Sequence, residues 1–223
     1  MRLKILRIIN DITFLKLLFL RMLGRCKLKC RRTKLQIGIC NLYKFIINDK
    51  GKGNTIKIED ETTCENSNIS IYGSNNNVII GKNSYVNGLN ILIEGNENKI
   101  VLGDGLFVMG NTKICVVDGG SVTLGKNCML SENIEIRATD SHSILDSYTN
   151  KRINYEKPII LGEHVWLGTG VTLLKGTEIA DGCIVGACSL LAGKKYDENN
   201  SIIVGNPGKV VKRNVKWLMP RIK

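Results

Sequence analysis

His142 is one of two histidines in a chain of 223 residues, and carboxylates flank it, Asp140 two positions before and Asp146 four positions after. An imidazole with an unperturbed pKa of about 6.5 suits the task of taking a proton from a hydroxyl and returning it to a leaving group. A carboxylate beside it would orient the ring. The stretch Thr-Asp-Ser-His-Ser-Ile-Leu-Asp, residues 139–146, fits a catalytic base and a polar loop residue alike, and it does not choose between Asp140 and Asp146. What must position the histidine is written in the rest of the chain.

The C-terminal half is periodic. From Leu161 the sequence runs LGEHVW, LGTGVT, LLKGTE, IADGCI, VGACSL, with an aliphatic residue every six at Leu161, Leu167, Leu173, Ile179, Val185 and Leu191. Four places after each comes a small or β-branched residue, Val165, Val171, Thr177, Cys183 and Ser189. Such a hexad makes one short strand and one corner, and three hexads close a triangular turn. No turn buries its apolar face alone, so stacked turns form the core. The middle of the chain repeats every 22 residues: Asn54, Asn76 and Asn98 align, as do Ile58, Ile80, Leu102 and Leu124, and Gly81, Gly103 and Gly125. This is the same solenoid with longer turns, and the aligned asparagines predict a ladder. The pattern stops between Ala138 and Lys157, so His142 falls in a loop that leaves the stack. His164 sits inside a hexad and is expected to face outward in a peripheral role.

Composition excludes some classes. The formal charge is +12, but residues 1–34 hold eleven of the 32 Lys/Arg and one of the 20 acids, so +10 of it lies in that arm. The rest is near neutral, with no nucleic-acid reading motif. Apolar residues from Ile5 to Met22 fall at helical spacing among Lys4, Arg7, Lys16 and Arg21, which predicts a basic amphipathic helix too charged to span a bilayer. It suits peripheral contact with anionic lipid or packing on protein. With no evident secretory signal, the eight cysteines are expected as reduced thiols in a cytoplasmic protein, at most peripheral to the inner face of the membrane. The CKLKC at 26–30 lacks a second half with metal-ligand spacing, so no metal is expected.

The hexads, the loop with His142, VWLGTGVTLLKG, IVGACSLL and IIVGNPGKVVK together resemble the hexapeptide-repeat acyltransferases, closest to the maltose, xenobiotic and capsular-polysaccharide (polysialic acid-type) O-acetyltransferases. The resemblance is strong over 120–217 and looser over 53–119. It implies a left-handed parallel β-helix over 51–195 carrying the active-site loop at 138–157. A basic N-terminal segment at 1–50 and a CoA-binding tail at 196–223 complete the layout. It implies acetyl-CoA-dependent O-acetylation of a carbohydrate hydroxyl on a surface or capsular glycan, without metal, in a homotrimer. By the resemblance His142 is the base and Asp140 or Asp146 its orienting partner. Trp166 shapes the acceptor or pantetheine site. Amides near Gly168, Thr169, Gly186 and Ala187 meet pantetheine, while Lys209, Lys212 and Arg213 meet phosphates. Gly208, where alanine is usual in the family's tail motif, is expected to loosen it. Within the class, N-acetylation of a nucleotide-linked amino sugar is the alternative. A γ-type carbonic anhydrase needs three histidine ligands where the chain has two. A non-catalytic solenoid surface needs neither the loop histidine nor the tail.

Overall fold

The computed structural model describes residues 26–222 apart from residue 31. They form a parallel β-solenoid of three sheets, two of 8 strands and one of 9. Each parallel pair joins a strand to the third strand after it, so the chain visits three faces in rotation for eight turns. The first face runs from Cys26–Cys30 to Leu190–Leu191, the second from Lys34–Ile37 to Lys195–Tyr196, the third from Asn41–Tyr43 to Ile202–Gly205. The ninth strand of the third sheet, Gly208–Lys212, folds back antiparallel on Ile202–Gly205.

Residue type explains the winding. All six aliphatics of the hexad series are buried, as are the five small or β-branched residues that follow them. The registers agree with both repeats: Ile80 pairs with Leu102 and Leu102 with Leu124 before the loop, Trp166 with Ile184 and Leu167 with Val185 after it. At the corner between the first and second faces, Asn76 Nδ2 donates to Asn54 Oδ1 (3.1 Å) while Asn76 Oδ1 accepts from Asn98 Nδ2 and Asn98 N (both 2.9 Å). Buried corner amides thus find partners one rung away. At the next corner, Gly81, Gly103 and Gly125 stack so closely that a Cβ on Gly103 would lie 2.6 Å from the Gly125 carbonyl.

Three expectations change. The solenoid begins by Cys26, not near 51: Lys34–Ile37 pairs with Thr55–Ile58, and Asn41–Tyr43 with Thr63–Glu65. CKLKC is therefore a strand, paired with Phe45–Asp49, and among the described residues no three His, Cys, Asp or Glu gather as a metal site. At the other end the coil continues past 195, since Ile202 and Ile203 pair with Ile184 and Val185. The Gly208 region is also tighter than expected, because a Cβ there would meet Leu191 at 3.0 Å and the Tyr196 hydroxyl at 3.1 Å. The amphipathic helix expected within 1–25 lies outside the described residues; among those described, no helix is long and apolar enough to cross a membrane.

The outer faces differ in character. Alternation along each strand sends every second side chain outward. On the first face one column of these is Asn68, Asn90, Lys113, Glu135 and Thr172, in register, and the column beside it is Ser70, Leu92, Cys115, Arg137 and Leu174. The second face shows Ile79, Val101, Thr123 and Ile160 in one column and the polar Thr55, Asn77, Lys99 and Ser121 in the column beside it. The third shows Tyr85, Phe107, Met129, Trp166 and Ile184, with the Tyr85 and Phe107 rings stacked at 5.4 Å.

Candidate active site

The loop leaves the coil after Glu135–Arg137 on the first face and rejoins it at Ile159–Leu161 on the second, so it springs from the corner that carries the asparagine ladder in earlier turns. Its start is anchored by buried Ala138 and Thr139. Ser141 adopts a left-handed φ of 64°, its amide donates to Thr139 Oγ1 (2.9 Å), and the His142 amide donates to the Asp140 carbonyl (2.7 Å). The chain then forms a small hairpin, with the Ile153 amide on the Ile144 carbonyl (2.9 Å) and an antiparallel bridge between Leu145 and Arg152. His142 stands exposed just before this hairpin, at its base.

Two residues that the sequence reading did not single out hold the histidine in place. Asn154 Nδ2 donates to the His142 carbonyl (2.8 Å) and to Asp140 Oδ2 (2.9 Å), while its Oδ1 accepts from the Ile144 amide (2.7 Å). Asn154 thus grips the Asp140 side chain before the histidine and the backbone at and after it. Lys175, on the next turn of the coil, places its Nζ 2.5 Å from Asp140 Oδ2 and 3.1 Å from the carbonyls of Asn154 and Tyr155. One ammonium, with three protons to give, ties the start of the loop to its end.

Neither candidate carboxylate reaches the imidazole among the described residues. The hydrogen bond from Lys175, then that from Asn154, holds the Asp140 carboxyl below the usual range. Asp146 caps the hairpin tip, accepting from the amides of Thr149 (2.7 Å) and Tyr148 (3.1 Å) and from the Thr149 hydroxyl (2.8 Å). The Thr149 amide is the main cause of its lowered pKa.

The other predicted residues lie elsewhere on the prism. Trp166 is half-buried on the third face, its Nε1 donating to Ser131 Oγ at 3.2 Å, across the prism from the His142 corner. Its ring tilts against Trp217, which stacks on His164 at 4.0 Å and is bonded to it twice, Trp217 Nε1 to the His164 carbonyl (2.9 Å) and the Trp217 carbonyl to His164 Nε2 (3.1 Å). His164 is thus a fastening for the tail. Gly168, Thr169, Gly186 and Ala187 share the corner between the third and first faces, stacked rung on rung: the Gly168 amide donates to Val185 and the Cys188 amide to Thr169 (both 2.8 Å). Thr169 and Ala187 are exposed residues, and no hydrogen bond from either backbone amide is found among the described residues. Next along this corner is the hairpin Ile202–Lys212, with Lys209 and Lys212 exposed; Arg213 instead forks onto Glu198.

Comparison with known proteins agrees with this architecture. The family model described as bacterial transferase hexapeptide (six repeats) matches residues 158–193. A polysialic acid O-acetyltransferase of Escherichia coli O1:K1 / APEC is 35% identical over 81 residues, 36% of this chain and 26% of that protein. The match therefore spans about a quarter of that relative's length. The crystal structure of the polySia specific acetyltransferase NeuO is similar with a TM-score of 0.82 at 28% identity, covering 88% of this chain and 84% of that one. The structure of the polysialic acid O-acetyltransferase OatWY is similar with a TM-score of 0.67 at 32% identity, covering 79% of this chain and 92% of that one.

Proposed function

The chain belongs to the hexapeptide-repeat acyltransferase family, and from that premise we propose that it transfers the acetyl group of acetyl-CoA to a hydroxyl of a carbohydrate. The acceptor in this reading is a surface or capsular glycan, the class to which the polysialic acid named for its relatives belongs. The family's left-handed winding and trimeric assembly are carried over with it.

His142 acts as the base. A sugar hydroxyl is a weak nucleophile, so Nε2 or Nδ1 takes its proton as the oxygen attacks the thioester carbonyl. A fixed corner amide stabilises the tetrahedral oxyanion, and Thr169 and Ala187 offer unpaired N–H groups for it and for the pantetheine carbonyls. When the intermediate collapses, the C–S bond breaks and the imidazolium returns the proton to the departing thiolate. Lys209 stands beside Val204 near the same corner and Lys212 beside Ile202 at the far end of that strand, and in this reading the phosphates of CoA meet these two cations.

These parts meet only between copies. Within one chain the His142 loop and the Thr169–Ala187 strip flank the first face at opposite corners. A neighbour packed with its second face, through the column Ile79, Val101, Thr123 and Ile160, on the third face of this chain brings its own loop to the strip, and a closed ring of such contacts leaves the first face to solvent. The loop itself exposes Ile144, Leu145, Tyr148, Ile153 and Tyr155, apolar surface that a neighbour would cover. The basic arm 1–34 would place the enzyme at an anionic membrane surface, and liposome binding that survives deletion of residues 1–25, which spares the first strand of the coil, would refute this.

The observation that carries the proposal is the loop clasped to the coil through Asn154 and Lys175 with the His142 ring exposed. The test is thiol release from acetyl-CoA across a panel of glycans. Transfer by the wild type that disappears in His142→Ala, with CoA binding kept, is expected. Equal rates in the two proteins would remove His142 from the chemistry.

A further inference from the structure

A cavity of about 350 Å³ opens on the first face, lined by Asn90, Asn111, Lys113, Asn133, Ile134 and Glu135. Its place in the coil is specific. Asn111 and Asn133 sit at the corner between the third and first faces, and that corner continues directly into Thr169–Gly170, since the Gly170 amide donates to the Glu132 carbonyl (2.9 Å) and the Asn133 amide to Gly110 (3.2 Å). The cavity and the Thr169–Ala187 strip are thus consecutive stretches of one line along the solenoid, with rungs about 4.8 Å apart.

Its chemistry is that of sugar recognition. The Asn111 and Asn133 side chains hold one another by a long bond, Nδ2 to Oδ1 at 3.3 Å, which leaves the Asn111 carbonyl and the Asn133 amide facing solvent. Asn90 makes only a 3.4 Å contact to the Gly88 carbonyl. Paired amide donors and acceptors on an exposed face match vicinal hydroxyls and acylamino groups. Glu135 is occupied by Arg137 (3.1 Å), whereas Lys113 forms no ion pair among the described residues. Beside the amides the cavity thus offers one cation without an ion pair, Lys113, and one carboxylate, its in-register neighbour Glu135, which Arg137 already holds.

We infer that this cavity is the acceptor subsite, and that it takes a carboxylate-bearing sugar chain whose acid group pairs with Lys113 while Asn90, Asn111 and Asn133 read its hydroxyl and amide groups. The inference rests on the proposed acetyl transfer for its biological sense, but the binding itself does not depend on it. The acceptor approaches along the corner from the N-terminal end of the coil and the thioester lies on the strip beyond. The two meet near Thr169, where a neighbour's loop delivers His142.

The experiment separates binding from turnover. Acidic oligosaccharides of several sugars, and neutral ones of equal length, are titrated into His142→Ala protein by calorimetry, with and without Lys113→Ala or the pair Asn111→Gly and Asn133→Gly. Glycine keeps the left-handed φ of 47° and 59° that these corners require, so the fold is retained. Lys113→Ala is expected to weaken acidic chains about tenfold and to flatten the salt dependence, with neutral chains unchanged. The glycine pair is expected to weaken both. In the active enzyme Lys113→Ala raises the acceptor KM while the KM for acetyl-CoA stays put. Unchanged affinity in both variants, or binding of neither oligosaccharide, overturns the assignment. Groove-dependent binding without acetyl transfer by the wild type supports the subsite and refutes the proposed reaction alone.

Discussion

Lys175→Met should release the His142 loop while leaving the solenoid intact. Methionine keeps the length and apolar stem of lysine and removes the charge and its three protons. The perturbation deletes one ion pair to Asp140 and two hydrogen bonds to the Asn154 and Tyr155 carbonyls. Bonds to a charged donor contribute about 1.5–3 kcal/mol each when sheltered. The Lys175 side chain is 17% exposed, but Asp140 is 36% exposed, which trims the ion pair to about 1 kcal/mol or less. The whole clasp is then worth about 3 kcal/mol, and its loss shifts the docked-to-undocked ratio of the loop about a hundredfold. Amide exchange and limited proteolysis at 140–157 should accelerate, kcat should fall by up to about a hundredfold, and the unfolding temperature should barely move. Acid gives a second reading. Lys175 holds the Asp140 carboxyl below its ordinary value, so its contribution is fully present above the unfolded carboxyl pKa and is lost as pH falls through the depressed folded value. In Lys175→Met the loop should therefore loosen at a higher pH than in the wild type. Protection and kcat both unchanged in the variant would show that the clasp does not hold the loop.

Two further outcomes probe the coil and the strip. Cys188 is the exposed thiol among those described and lies on the Thr169–Ala187 corner, whereas burial pushes Cys64 up to about 12 and Cys128 up to about 11. Native alkylation should label Cys188 first and spare Cys64 and Cys128, and acetyl-CoA should protect Cys188; labelling at the same rate with and without it would move the CoA site off this corner. Asn76→Ala orphans the Gly95 carbonyl and the Asn98 amide inside the coil, which should cost about 4 kcal/mol in denaturant unfolding. A loss below about 1 kcal/mol would mean that water or backbone shifts replace the ladder.

What the sequence made legible was whatever repeats. Leu161 to Leu191 could be assigned to the interior because each hexad position carries one environment in every turn, and Asn54, Asn76 and Asn98 could be aligned for the same reason. The loop was visible as the place where both repeats fail. Residues 26–49 obey the same registers but were hidden by a change of chemistry at the ladder's foot. There the register places Thr33 below Asn54, and Asp49, at the end of a first-face strand, supplies the acceptor instead, taking bonds from Asn54 Nδ2 (2.8 Å), from the Gly51 amide (2.8 Å) and from Thr33 Oγ1 (2.5 Å), so the aligned Asn that marks later turns is missing. Contacts that depend on a fold rather than a period left little trace. Trp217 reaches His164 across 53 residues, and no spacing announces it. Lys175 did leave one signal. In LLKGTE it stands where the neighbouring hexads carry an ordinary corner, and a second leucine replaces their Gly or Ala. A departure from a repeat otherwise kept by small residues needs a partner outside the repeat, and the sole long excursion nearby is the loop. The same logic explains Gly208: Tyr196 donates its hydroxyl to the Gly208 carbonyl (3.0 Å), and the space a Cβ would need is filled by that ring and by Leu191. In a solenoid, then, the repeat identifies the scaffold, and the residues that break it are where chemistry and its supports should be sought first.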